Sequence, residues 1–183
     1  MRDRIALGLL GGWVIGTLIL FTVAPSNFHT VDRILRESTE AVFRAEVASV
    51  GEPAARQMLR YLASELNRLF FGLWNIAQLV LAGGALWSLW GVSEARRARR
   101  MVWLMLALVV LMLVWLTPQI TLLGRQLDFM PRDPVPPEMF RFRLLHAAYT
   151  AADLAKLGLG LAVIHQLVRR SSATGAALRP TPV

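Results

Sequence analysis

The 183-residue chain has no cysteine. Disulfides, thiolate metal sites and a cysteine nucleophile are therefore excluded. Lysine is almost missing as well: Lys156 is the only one, and the other basic side chains are arginine and three histidines. No Gly-rich phosphate loop, Ser/His/Asp set, metal-ligand spacing or inward carboxylate dyad is visible, so neither an enzymatic activity nor a cofactor or metal is expected. Strand-like alternation and internal repeats are absent, and only the short tail SSATGAALRPTPV has low complexity. The most informative scarcity is of charge. Residues 5–31, 69–93 and 101–124 contain no Asp, Glu, Lys or Arg.

What fills those stretches is apolar, as 55% of the chain is hydrophobic. A fourth run, 144–168, is broken only by Asp153 and Lys156. A spanning helix needs about 20 apolar residues to cross ~30 Å of hydrocarbon, and each run is long enough. The pattern predicts an all-α integral membrane protein, a four-helix bundle forming a single domain in the lipid bilayer. Its spans should lie near 5–24, 69–92, 101–123 and 144–168. The first run is longer than a signal-peptide core, and Pro25 directly follows its best cleavage site, so it reads as a retained helix.

The net charge of +8 suggests a nucleic-acid ligand until the arginines are placed. Arg2 and Arg4 precede the first run, and Arg96, Arg97, Arg99 and Arg100 fill the second connection. Arg169, Arg170 and Arg179 follow the fourth run, and only Asp3 and Glu94 oppose these three groups. The first connection, in contrast, balances its arginines with as many acids. Retained arginine sets orientation, so both termini and the second connection are expected in the cytoplasm, with no nucleic-acid partner. The lack of cysteine and the arginine-rich coding point to a bacterial inner membrane.

The outer connection, 26–68, reads as helical. Pro53 suits a first helical turn. Met58, Leu59, Leu62, Leu66, Leu69 and Phe70 then recur at helical steps, with Arg56, Arg60 and Glu65 on other faces. Upstream, Leu35, Val42, Phe43 and Val47 predict a second amphipathic helix, and the two together predict a helical cap. In the first span Gly8, Gly12 and Gly16 share a face, which suits packing against another span or a seam with a second copy or another membrane subunit. Pro118 is expected to kink or end the third span. The proline-rich link 125–143 should be extended, and 171–183 a flexible tail.

One stripe of the fourth span carries His146, Tyr149, Asp153, Lys156 and Gly160 at three- and four-residue steps. Ionisable groups inside a membrane are costly, ~2.5–3.5 kcal/mol at the centre of an inserted helix, so they face the bundle interior and pair. Asp153 and Lys156, one turn apart, can neutralise each other. Structural pairing and a working ion or proton site remain alternatives. A buried ammonium can lose its proton whereas a guanidinium effectively cannot, and this favours lysine at a working site. Asn75 and Gln78, one turn apart in the second span, are the expected partners of this stripe. Of the three histidines, His29 and His146 both lie at outer helix ends, and His165 lies at the inner end. A haem or copper held by the first pair ranks third among the readings.

The segments APSNF, LTPQI and FRLLHAAY, which carry Pro25, Phe28, Pro118, Ile120, Phe142, Leu145 and His146, resemble a known family. It is the group of small four-span membrane proteins called domain of unknown function 4149, related to the transmembrane protein 205 family. The resemblance follows all four spans in order. Here the first outer connection is longer, Asp153 stands where a neutral amide is expected, and Tyr149 where a small residue is expected. The resemblance implies membrane residence and a part in handling metals, drugs or other small solutes. The functional expectation is thus a small carrier or accessory subunit handling a proton, metal or small solute through the polar stripe. The alternative is a structural or scaffolding membrane protein without transport activity.

Overall fold

The computed structural model of the chain describes residues 2–130 and 133–177, with side chains as far as residue 172. Six α-helices account for nearly all of it: α1 (Arg2–Glu37), α2 (Ala41–Val50), α3 (Glu52–Leu89), α4 (Arg96–Leu111), α5 (Thr117–Leu127) and α6 (Glu138–Ala177). A π turn, Met112–Leu116, joins α4 to α5, so that they form one rod. No strand occurs among the described residues. Four segments are long and apolar enough to cross a membrane: Arg2–Glu37, Glu52–Leu89, Ser93–Leu127 and Glu138–Ser172. The fold is the expected all-α four-helix bundle, with the pattern of a multi-pass membrane protein.

Neighbours around the bundle are α1 with α3, α3 with the α4–α5 rod, that rod with α6, and α6 with α1. The first and third spans are therefore diagonal to each other, as are the second and fourth. Two apolar clusters fill the interior. One, near the arginine-rich connection, contains Leu10, Trp13, Leu89, Met105, Val109 and Val163. The other, toward the opposite end, contains Met112, Leu116, Leu127, Leu145 and Tyr149. Asn75, Gln78, Asp153 and Lys156, all fully buried, fall between them in sequence along both α3 and α6.

Both prolines within spans lie inside continuous helix. Pro118 neither ends the third span nor breaks it, because the chain continues as α5 to Leu127. An α-helix would bring the proline ring against the Val114 carbonyl. The π turn widens the coil here, and the Thr117 N–H donates to the Met112 carbonyl five residues back. Helix α1 likewise runs through Pro25 to Glu37, beyond the expected span end at Ala24. Asn67 of α3 clamps this point, donating to the Ala24 carbonyl (2.9 Å) and accepting from Asn27 (2.6 Å).

The first connection is helical as its pattern predicts, but its parts are divided differently. Residues 26–37 extend α1 and residues 52–68 open α3. The two extensions form a hairpin held by Arg56, which is paired with Asp32 and, at 2.8 Å, with Glu52. The expected helix around 35–47 is interrupted at 38–40, and only 41–50 forms the separate α2. Helix α2 buries no residue and packs chiefly on α3, so it joins the hairpin rather than covering the core. Gly51, at φ +86°, turns the chain into α3, and Pro53 takes its place in that first turn. At the other end Gly91, at φ +74°, lets the chain leave α3, and Arg2 donates to the adjoining Trp90 carbonyl at 2.9 Å.

Two further expectations change. Helix α6 continues through Ala177, so 171–177 are helical rather than a flexible tail; 178–183 lie outside the described residues. The link between α5 and α6 is shorter than 125–143, and Pro131 and Arg132 within it are also outside the description. The glycine stripe divides as well. A Cβ on Gly16 would lie 2.2 Å from the Trp74 ring, whereas one on Gly8 or Gly12 would meet nothing within 4 Å. Only Gly16 is needed for packing between spans. Gly16→Leu should therefore destabilise the bundle by ~1–3 kcal/mol, as overpacking does. Gly12→Ala should change stability by no more than about 0.5 kcal/mol. Thermal unfolding in detergent measures both, and equal losses would contradict the contact with Trp74.

Candidate functional site

The second and fourth spans do not touch along their backbones as neighbours do, so long side chains join them at this level: the Phe71 ring edge-on to Tyr149 at 5.3 Å, and a set of polar groups. Lys156 crosses the diagonal. Its Nζ donates to Gln78 Oε1 at 2.6 Å and lies 2.8 Å from Asp153 Oδ1 on its own helix. Gln78 Nε2 is 3.5 Å from Asn75 Oδ1, which also accepts from the Tyr149 hydroxyl at 3.4 Å. Asn75 Nδ2 donates to Thr117 Oγ1 at 3.1 Å, adding the third span. The result is a chain of contacts from Tyr149 and Thr117 through Asn75, Gln78 and Lys156 to Asp153.

Each amide's orientation follows from its neighbours. An ammonium only donates, so Gln78 must present its oxygen to Lys156 and its NH2 to Asn75. Burial makes these bonds consequential, because an unpaired polar atom would cost ~1–3 kcal/mol. Asp153 is the exception. Its buried Oδ1 is held by the ion pair with Lys156 Nζ at 2.8 Å and meets no donor from another helix.

Tyr149, Asp153 and Lys156 face the bundle and meet Asn75 or Gln78, directly or through one another. His146 does not. It is exposed, its Nδ1 lies 3.1 Å from the Phe142 carbonyl and its ring stands 4.2 Å from that of Phe142. The physical reason is its level on the helix. His146 stands seven residues before Asp153, on nearly the same side of α6, but where the helices part around a cavity, and Leu145 and Tyr149 carry the packed face there. Gly160 belongs to the packed face, where its absent side chain admits Met105.

Above this layer, at the α2 end, lies a cavity of about 900 Å³. Tyr149, Thr117 and Phe71 line its deep part, adjoining Asn75. Arg56, Arg60, Arg68 and Asn67 line it along α3, and Phe129, Phe142 and His146 line it along the other spans. His29 is not part of this lining, so the cavity does not unite the two histidines. Among the described residues no group of three or more His, Asp or Glu could hold a metal.

Several cavity residues were not singled out by sequence as site residues. Thr117 was read only as the neighbour of Pro118, although a hydroxyl at a proline-disturbed helix position is a signal for an interhelical bond. Spacing places Arg56 and Arg60 only off the apolar stripe of an amphipathic helix. In the structure that helix is inverted relative to one packed in water. Its apolar stripe, Met58, Leu62, Leu66 and Leu69, is exposed, while its arginines face the cavity. The stripe continues without a break into Leu73, Ile76 and Val80 of the span proper.

The two ends of the polar chain should respond differently to substitution. Tyr149→Phe removes one long bond and leaves Asn75 Oδ1 with Gln78, so a loss below about 1 kcal/mol is expected. Asn75→Leu removes the partner of Thr117, Tyr149 and Gln78 together and should cost at least ~2 kcal/mol. Denaturant titration in mixed micelles distinguishes them, and an Asn75→Leu protein as stable as the parent would contradict the network.

The comparisons with known proteins give no relative: no family model, no curated protein and no solved structure matches the chain.

Proposed function

We propose that this protein is a small carrier or accessory subunit of a bacterial inner membrane. In this reading it receives a proton or small polar solute at Asp153 and Lys156 through the cavity at the α2 end. The observation that carries the reading is the polar chain itself. It begins at the wall of a roomy cavity and ends, between two apolar clusters, at the buried ion pair of Lys156 with Asp153. Intramembrane ionisable groups of this kind mark solute and proton sites more often than packing contacts. The distribution of arginine supports the α2 end as the outer one, with both termini in the cytoplasm.

The chemistry narrows what could be handled. Asn75 and Gln78 interrupt any direct proton relay, because an amide cannot pass a proton onward without changing tautomer. A proton would therefore need water beside the chain. A small solute with both donor and acceptor groups would instead replace bonds that the chain already makes. Metal handling has no ligand cluster among the described residues to support it. The resemblance to the four-span family, with its implied handling of small solutes, points the same way.

A structural role is the second reading, and one observation favours it. Asn75, Gln78 and Lys156 each have an internal partner, as members of a purely packing network would. The experiment follows from the partners. Lys156→Met or Asp153→Asn alone strands or unbalances a buried charge, and breaking one side of such a pair costs roughly 3–5 kcal/mol. The double change Asp153→Asn with Lys156→Met removes both charges but leaves Gln78 Oε1 without its donor, at ~1–3 kcal/mol. Adding Gln78→Leu should recover most of that loss. The triple variant is then folded without a charged site. Under the carrier reading it fails to complement a deletion strain, and full complementation would leave the layer with a packing role only.

A further inference from the structure

The cavity at the α2 end has a character of its own, apart from the polar chain beneath it. Its lining contains three arginines, Arg56, Arg60 and Arg68, against one carboxylate, Asp128. Arg68 is bound at 2.6 Å both to Glu65 and to Asp128, and Arg56 is bound to Asp32 and Glu52. Arg60 is held less firmly. Its nearest carboxylate is Asp32 at 3.7 Å, already shared with Arg56, and its guanidinium rests over the Phe28 ring at 5.4 Å. A guanidinium in that position keeps donors for an incoming anion.

The remaining walls are largely apolar. Phe28, Tyr61, Phe71, Phe129 and Phe142 contribute rings, with Ile120 and Leu127 beside them. Along α3 the lining runs from Arg56 to Phe71, which is about 22 Å at a rise of 1.5 Å per residue. Arg56 and Arg60 lie toward one end of this length and Phe71 toward the other, with Arg68, neutralised by Asp128, between them beside the Phe142 ring. A volume of about 900 Å³ falls in the upper part of the ~300–1,000 Å³ typical of small-molecule sites. Behind Arg56 and Arg60, α3 shows its exposed apolar stripe from Met58 to Leu73, so the arginines lie beside a surface suited to hydrocarbon.

We propose that this cavity binds a single-chain amphiphile with an anionic head group, a phosphate or a carboxylate, the head at Arg60 and Arg56 and the chain along the aromatic wall toward Phe71 and Ile120. The assignment rests on the carrier reading only in taking the cavity as a binding site; it does not require Asp153 or Lys156 to move anything. A cationic or uncharged head would lack the match to the arginines. A free anion would leave the aromatic wall unused.

The test uses the full chain in nanodiscs of phosphatidylcholine, with dodecyl phosphate, dodecanol and inorganic phosphate as probes. Native mass spectrometry after release from the disc reads occupancy. Dodecyl phosphate should bind at least about tenfold more tightly than dodecanol, the scale of charge-assisted bonds to an arginine. Arg60→Gln should remove most of that preference. Ile120→Trp, which fills the chain region without touching the arginines, should reduce binding of both amphiphiles. The triple variant lacking the charged layer should bind dodecyl phosphate as the parent does, even if it fails to complement. Equal affinity for dodecanol and dodecyl phosphate would overturn the proposal. So would inorganic phosphate binding as tightly as the amphiphile, or dodecyl phosphate binding unaffected by both Arg60→Gln and Ile120→Trp.

Discussion

A buried ammonium held between a carboxylate on its own helix and an amide oxygen on the diagonal helix sets the terms for the middle of this bundle. Lys156 cannot be satisfied by α6 alone, because its well-formed hydrogen bond goes to Gln78 of α3. That bond fixes the rotation of both spans, since turning either helix would carry a buried polar group toward hydrocarbon. The cost of such exposure is large beside the stability of a small domain. Gln78 in turn orients Asn75, and Asn75 meets Thr117 just beyond the π turn. The widening of the third span at Pro118 and the polar layer are thus parts of one arrangement.

The layer also divides the interior. On the side of the arginine-rich connection, Trp13, Leu89, Met105, Val109 and Val163 are packed with almost no exposure. On the α2 side the helices part around the cavity, although the second apolar cluster still ties the third span to α6. The polar chain thus reaches a cavity on one side, through Tyr149 and Thr117, and dry packing on the other, while Asn75, Gln78, Asp153 and Lys156 themselves stay buried.

Long charge-free runs made the four spans readable, because the requirement for about 20 apolar residues leaves few alternatives. Three- and four-residue spacing made Tyr149, Asp153 and Lys156 readable as one inward stripe, and amide spacing brought Asn75 and Gln78 into it. His146 shares the side of Asp153 but lies where the helices part around the cavity, and spacing along one helix does not show where its neighbours separate. The inversion of the first turns of α3 was not readable for a different reason. Periodicity shows that a helix has two faces, but not which one meets solvent, lipid or a cavity. Where the first span ends was misjudged because α1 continues through Pro25, a point that Asn67, distant in sequence, clamps at the Ala24 carbonyl.

The absence of cysteine allows the central claim, a buried polar layer with a cavity on one side only, to be measured directly. Single cysteines at Thr121 on the cavity wall and at Val163 in the opposite apolar cluster can be offered a membrane-impermeant maleimide in sealed vesicles of either orientation. The account predicts that Thr121→Cys is labelled from the α2 side alone and that Val163→Cys is labelled from neither. Rapid labelling of Val163→Cys, or labelling of Thr121→Cys from the side of the arginine-rich connection, would contradict it.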